Sequence, residues 1–88
     1  MPQYTIEFKP SADEALKRLP AGVQRRIVAA TERLAGNPRP VGAVKLEGEL
    51  RTYRVRVGDY RIVYDVYDDK LLVLVLRVAH RKDAYREN

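Results

Sequence analysis

Three arginines, Arg54, Arg56 and Arg61, stand on either side of Gly58-Asp59 in the run Tyr53-Arg54-Val55-Arg56-Val57-Gly58-Asp59-Tyr60-Arg61-Ile62. A two-residue turn at Gly58-Asp59 sets Val57 across from Tyr60, Arg56 across from Arg61 and Val55 across from Ile62. All three guanidinium groups then share one face of a hairpin. Like charges opposite each other in a sheet cost from a few tenths to roughly 1 kcal/mol, so stability does not account for the arrangement. A phosphate-binding surface does, because Arg carries a permanent charge and a planar fork of donors matched to phosphate oxygens. The plainer reading is a solvated strand face whose arginines pair with acids such as Glu47, Glu49 and Asp65. That reading suffices for one exposed Arg and is strained by three on one face.

A second cluster follows near the C-terminus: Arg77, His80, Arg81, Lys82, Tyr85 and Arg86. His exchanges a proton near neutral pH, and positive charge beside a Tyr favours its phenolate. Taken singly, a lone His is ordinarily a surface or core residue and a lone Tyr ordinarily packs. Strand parity raises a difficulty. If Asp68-Asp69 is a two-residue loop, Arg77 and Arg81 fall on the face opposite Arg61. Arg81 joins Arg61 only if the loop is one residue longer, if the strand carries a bulge, or if it ends before Arg81. These three remain open at the level of sequence.

The elements that must position these residues are legible from periodicity. Tyr4, Ile6 and Phe8 alternate with polar neighbours, as in a half-buried strand. Ser11 with Glu14 forms a capping-box pattern that opens a helix from about Ala12 to Leu19. Pro20 closes that helix or starts the next. Val23, Ile27, Ala30 and Leu34 recur at helical spacing, giving a second helix over about Ala21 to Ala35, which Gly36-Asn37-Pro38 stops. A loop over Gly36 to Ala43 precedes the period-two pattern that begins at Lys45. Strands follow over Tyr53–Val57, Tyr60–Tyr67 and Leu71–Ala79, the last apolar on both faces and hence interior. The expected fold class is α+β: a strand, a helical hairpin, then a three-stranded antiparallel meander, with the helices on one face of the sheet.

Composition bounds the rest. At 88 residues the chain is expected to be one domain, 1–88. With no Cys and one His, disulfides, thiolate metal sites and thiol nucleophiles drop out, and no metal or other cofactor is expected. The net charge of +5 favours an acidic partner such as nucleic acid or an acidic protein segment. Residues 1–50 hold 8 basic and 6 acidic groups and residues 51–88 hold 9 and 6, so placement matters more than the sum. The N-terminus lacks a basic stretch followed by an apolar one, and Leu71–Leu76 is too short to span a bilayer. A cytoplasmic protein with no membrane partner is expected.

The residues Asn37-Pro38-Arg39, Lys45-Leu46-Glu47-Gly48, Tyr53 through Tyr64, and Val78-Ala79-His80-Arg81-Lys82-Asp83-Ala84-Tyr85 closely resemble the RelE branch of the RelE/ParE toxin superfamily. The opening strand and helical hairpin fit as well, although helices of this kind are generic. The resemblance implies a toxin of a type II toxin–antitoxin system that cleaves mRNA, in the best-studied members at the ribosomal A site. It also implies a RelB-like antitoxin that wraps the toxin, the pair contacting operator DNA only as a complex. By position, Arg54 and Arg56 match two basic strand residues of the family, Arg61 its arginine in the next strand, Arg81 its arginine near the C-terminus and Tyr85 its terminal tyrosine. His80 stands where members carry Lys or His.

One departure is chemical. In the best-known member both strand basics are lysines, and one has been considered as the base. Arg stays protonated at neutral pH and cannot take that role. The expected division places Arg61 and Arg81 on the scissile phosphate, with Arg54, Arg56 and Lys82 binding RNA. His80 and Tyr85 share proton transfer without a metal, in an order left open. The tail past Tyr85 is expected to be too short for a further helix. Two rival readings are a ParE-like DNA gyrase inhibitor and a non-catalytic RNA-binding module. The second is weakened by the lack of a run of exposed aromatics for base stacking.

Overall fold

Alternation and helical spacing resolve into a five-stranded sheet with a helical hairpin on one side. The computed structural model describes residues 3–84. Strand β1 (Thr5–Phe8) leads into helices α1 (Pro10–Lys17) and α2 (Ala21–Gly36). Strands β2 (Val44–Lys45), β3 (Thr52–Val57), β4 (Tyr60–Tyr67) and β5 (Leu72–His80) follow, and one helical turn, α3 (Arg81–Ala84), comes last. The sheet order is β1-β5-β4-β3-β2, with β1 parallel to β5 and the other pairs antiparallel. The α+β plan is the expected one. Its addition is β2, a two-residue edge strand too short to carry a periodic signal. No described helix is long and apolar enough to cross a membrane.

Helix boundaries depart from expectation for local reasons. Helix α1 begins at Pro10, with Lys9 at the N-cap and no side-chain cap bond. Pro suits the first helical position because its φ is already helical and its missing N–H would have had no partner there. Ser11 therefore lies inside the first turn and caps nothing. Helix α2 keeps Gly36 as its last helical residue, and Asn37 leaves in an extended conformation with φ −152°. Gly36 thus makes no left-handed cap; the Asn37 side-chain oxygen instead accepts the Arg39 N–H at 3.1 Å.

The helices bury the face of the sheet that carries Ile62, Tyr64 and Val66 of β4 and Val73, Val75 and Val78 of β5. Ile27 and Leu34 of α2 and Leu16 of α1 close against them. Each fully buried side chain of this size contributes roughly 1.5–3 kcal/mol, so this layer fixes which side of every strand faces inward. Tyr64 is fully buried, stacks on Tyr53 with ring centroids 6.0 Å apart, and donates its hydroxyl to the Pro38 carbonyl at 2.8 Å. Burial pushes its phenol up to about 12.

A polar brace ties the loop after α2 to the β4–β5 loop. Arg39 grips Asp68 with two guanidinium nitrogens at 2.7 and 3.2 Å, and its Nε donates to the Tyr53 hydroxyl at 2.9 Å. The Tyr4 hydroxyl donates to Asp68 at 2.6 Å. The hydrogen bond from Arg39, followed by that from Tyr4, holds the Asp68 carboxyl below its usual range.

Strand β5 changes phase once. The β4–β5 loop has four residues, 68–71, with Leu71 in the left-handed region at φ 50°, so Tyr67 pairs with Leu72. The ladder runs regularly to Tyr64–Val75, then Val63 pairs with Arg77, leaving Leu76 as the extra residue of a bulge. A four-residue loop has the parity of the two-residue loop considered from sequence. The bulge is what turns Arg77 and Ala79 onto the face of Arg61.

Candidate nucleic-acid interface

The β3–β4 hairpin has the register read from the turn: Val57 pairs with Tyr60, Arg56 with Arg61 and Val55 with Ile62. Gly58 has φ 60° and Asp59 a negative φ, the pattern of a type II′ turn, which matches the twist of the flanking strands. Because Ile62 and Tyr64 are held against the helices, alternation sends Arg54, Arg56 and Arg61 to the opposite, helix-free face.

The three arginines differ in setting. Arg56 is exposed and Arg54 half-buried, and neither has a carboxylate partner among the described residues. Arg61 is buried, with 8% of its surface exposed, which does not fit the plainer reading of a solvated strand face for this residue. It sits between Arg56 on β3 and Ala79 on β5. Asp65, a candidate acid partner from sequence, instead accepts the Thr52 hydroxyl at 2.6 Å and the Tyr67 hydroxyl at 3.4 Å. Further along the same face the Arg51 guanidinium lies 4.7 Å from the Tyr67 ring centroid, a cation–π contact that sequence reasoning missed.

The C-terminal candidates divide between the two faces. Arg77 joins the arginine face through the bulge. Arg81 opens α3, one residue past the Tyr60–His80 pair, and its N–H donates to the Asp59 carbonyl at 2.7 Å. That bond fastens the end of β5 to the hairpin turn. Arg81 and Lys82 are exposed. His80 pairs with Tyr60 on the helix side of the sheet, away from Arg61, and meets the Tyr60 ring edge-on at 5.2 Å. Its Nδ1 accepts the Lys82 N–H at 3.2 Å, which leaves Nε2 as the ring atom open to other partners. Tyr85 and Arg86 lie outside the described residues.

Electrostatically this is a cationic surface with one embedded guanidinium, suited to anchoring and neutralising a phosphate. Among the described residues no three of His, Cys, Asp and Glu come together as a set of metal ligands.

The family model described as the ParE toxin of type II toxin–antitoxin system, parDE, matches residues 6–85. Toxin RelG of Mycobacterium tuberculosis is 34% identical over 84 residues, covering 94% of this chain and 97% of RelG. The mRNA interferase toxin RelE of Escherichia coli is 28% identical over 81 residues, covering 90% of this chain and 84% of that toxin. The toxin–antitoxin complex RelBE2 from M. tuberculosis contains a chain that superposes with a TM-score of 0.78 at 32% identity, covering 90% of this chain and 99% of that one. The chain belongs to the RelE/ParE superfamily of type II toxin–antitoxin toxins, on its RelE branch.

Proposed function

We propose that this toxin is a metal-independent mRNA endoribonuclease that acts in the cytoplasm on ribosome-bound message at the A site. The observation that carries the reading is the pair Arg56 and Arg61, opposed across β3 and β4 with Arg54 alongside and no acid neutralising Arg54 or Arg56. The name of the E. coli relative, an mRNA interferase, supports RNA as the polyanion.

Cleavage without a metal needs a base to take the ribose 2′-proton, cations to hold the phosphorane and an acid for the departing 5′-oxygen. Arg61 is suited to hold the scissile phosphate, since a largely buried guanidinium acts in a drier medium where its charge counts for more. Arg81 completes the clamp from the start of α3. Arg54, Arg56 and Lys82 position the flanking backbone. Proton transfer falls to Tyr85 and not to His80, which the register sets on the helix side of the sheet, away from Arg61.

The partner is a RelB-like antitoxin whose acidic segment covers the arginine face, with operator DNA contacted only by the complex. The M. tuberculosis toxin–antitoxin complex RelBE2 supports a partner of this kind.

The test is induction of the toxin with translation and message integrity followed in cells, alongside gyrase supercoiling in vitro. Message cleavage with supercoiling untouched is the expected result. Blocked supercoiling with intact message would replace this reading with gyrase inhibition.

A further inference from the structure

Strand β1 covers β5 only part of the way. Their pairing ends at Phe8–Val75, the Lys9 N–H makes the last rung to the Val75 carbonyl at 2.9 Å, and Pro10 then turns the chain into α1. From Leu76 to His80 no strand runs along that side of β5 among the described residues. A cavity of about 670 Å³ occupies the gap between this stretch and α1.

Its walls include Ala15 of α1, Arg18 at the C-cap of that helix, Tyr60 of β4, and Arg77 and His80 of β5. Three features select its occupant. The Tyr60 and His80 rings meet edge to face, which leaves ring surface for a flat partner to stack on. Arg18 is exposed and has no carboxylate partner among the described residues, and no acid lines the cavity. Arg77 lies on the arginine face by register and also lines the cavity. The two surfaces therefore meet around the uncovered edge of β5.

We propose that this cavity takes one unpaired nucleotide of the RNA that the arginine face holds, its base against Tyr60 and His80 and its phosphate on Arg18. The inference rests on the RNA reading above and adds a second contact region to it. A strand crossing the arginine face turns around the edge of β5 where β1 has left it, and one splayed base enters the gap. Base–aromatic stacking tolerates any base, so the subsite adds affinity with little sequence preference.

The test uses the full chain and a 2′-O-methylated, uncleavable pentanucleotide, followed by fluorescence anisotropy and by the NMR signals of Tyr60 and His80. Arg18→Glu reverses a charge on an exposed residue, and Ala15→Leu fills the cavity from a helix that tolerates Leu. Each is expected to weaken binding about tenfold, and Arg18→Glu to lower the salt dependence by about one phosphate contact. In the unaltered protein the oligonucleotide shifts both ring signals. If both variants bind like the unaltered protein while Arg54→Ala weakens binding, RNA stays on the arginine face and the cavity proposal fails alone. If an acidic peptide shifts the ring signals and the oligonucleotide does not, the cavity is a peptide site and the proposal fails. If neither cavity nor arginine-face variants change binding, the RNA reading falls with it.

Discussion

Arg56 lies directly across the β3–β4 ladder from Arg61, one exposed and the other buried. One rung from the turn, the register sets two like charges opposite each other, an arrangement that disfavours strand pairing. Replacing Arg56 with Thr, a good strand residue without charge, should relieve it. The expected gain is a few tenths to about 1 kcal/mol, or up to several degrees in Tm for a domain of this size. Toxicity should fall in the same variant. A melting experiment in which Arg56→Thr lowers Tm would show that the contact is not repulsive.

Arg61 and Arg81 should separate stability from activity. Losing a charge-stabilising donor typically costs on the order of 10²–10³ in rate, so both alanine variants should stop message cleavage. Arg61→Ala should in addition lose roughly 1–3 kcal/mol of stability, because it empties a buried position. Arg81→Ala should melt as the unaltered protein does, its backbone bond to Asp59 being independent of the side chain. Equal melting of the two variants would contradict the burial of Arg61.

Cleavage by ribosomes should persist in chelator, provided that ribosome integrity is followed separately, since ribosomes themselves need magnesium. Tyr85→Phe should slow the cleavage step, whereas His80→Gln, on the other face of the sheet, should act through RNA binding. Rescue by a divalent ion of activity lost in chelator, on intact ribosomes, would overturn the metal-independent mechanism.

Two tyrosine and carboxylate contacts set the pH limits of the fold. The Tyr64 phenol, pushed up to about 12 by burial, favours the neutral form in the folded state. Its contribution is complete below the ordinary Tyr pKa of about 10 and is lost as pH rises through about 12. Asp68 is held low by Arg39 and Tyr4, so its contribution is present above the ordinary carboxylate range and is lost as pH falls through its lowered value. Tyr64→Phe should flatten the alkaline limb of a Tm-against-pH curve and Asp68→Asn the acid limb. Unchanged limbs in both variants would refute these assignments.

The hairpin was legible because Gly58-Asp59 leaves one register for strands with an apolar face, and every pairing near the turn follows from it. The helices were legible to within about two residues. Pro10 took the start of α1 from Ser11 because a fixed φ at the first position outweighs a hydroxyl one residue later. Other features have no local signature. Leu71 adopts a left-handed backbone without being Gly or Asn, so the four-residue loop gave no turn signal. The Arg39–Asp68 grip joins residues 29 positions apart. The burial of Arg61 has no local signal, because Arg as a residue type predicts the surface.

The bulge at Leu76 separates two demands that a regular strand would force together. Before it, β5 is set by the core, with Val73 and Val75 turned to the helices. After it, Val78 still packs inward while Arg77 and Ala79 turn to the cationic face. A deletion of Leu76 would remove the bulge and join Val75 to Arg77 in a regular ladder, with Arg77 still opposite Val63 on the cationic face. When a chain with this bulge is aligned with one that lacks the extra residue, leaving out the gap at Leu76 matches inward residues to outward ones over the stretch that carries the site.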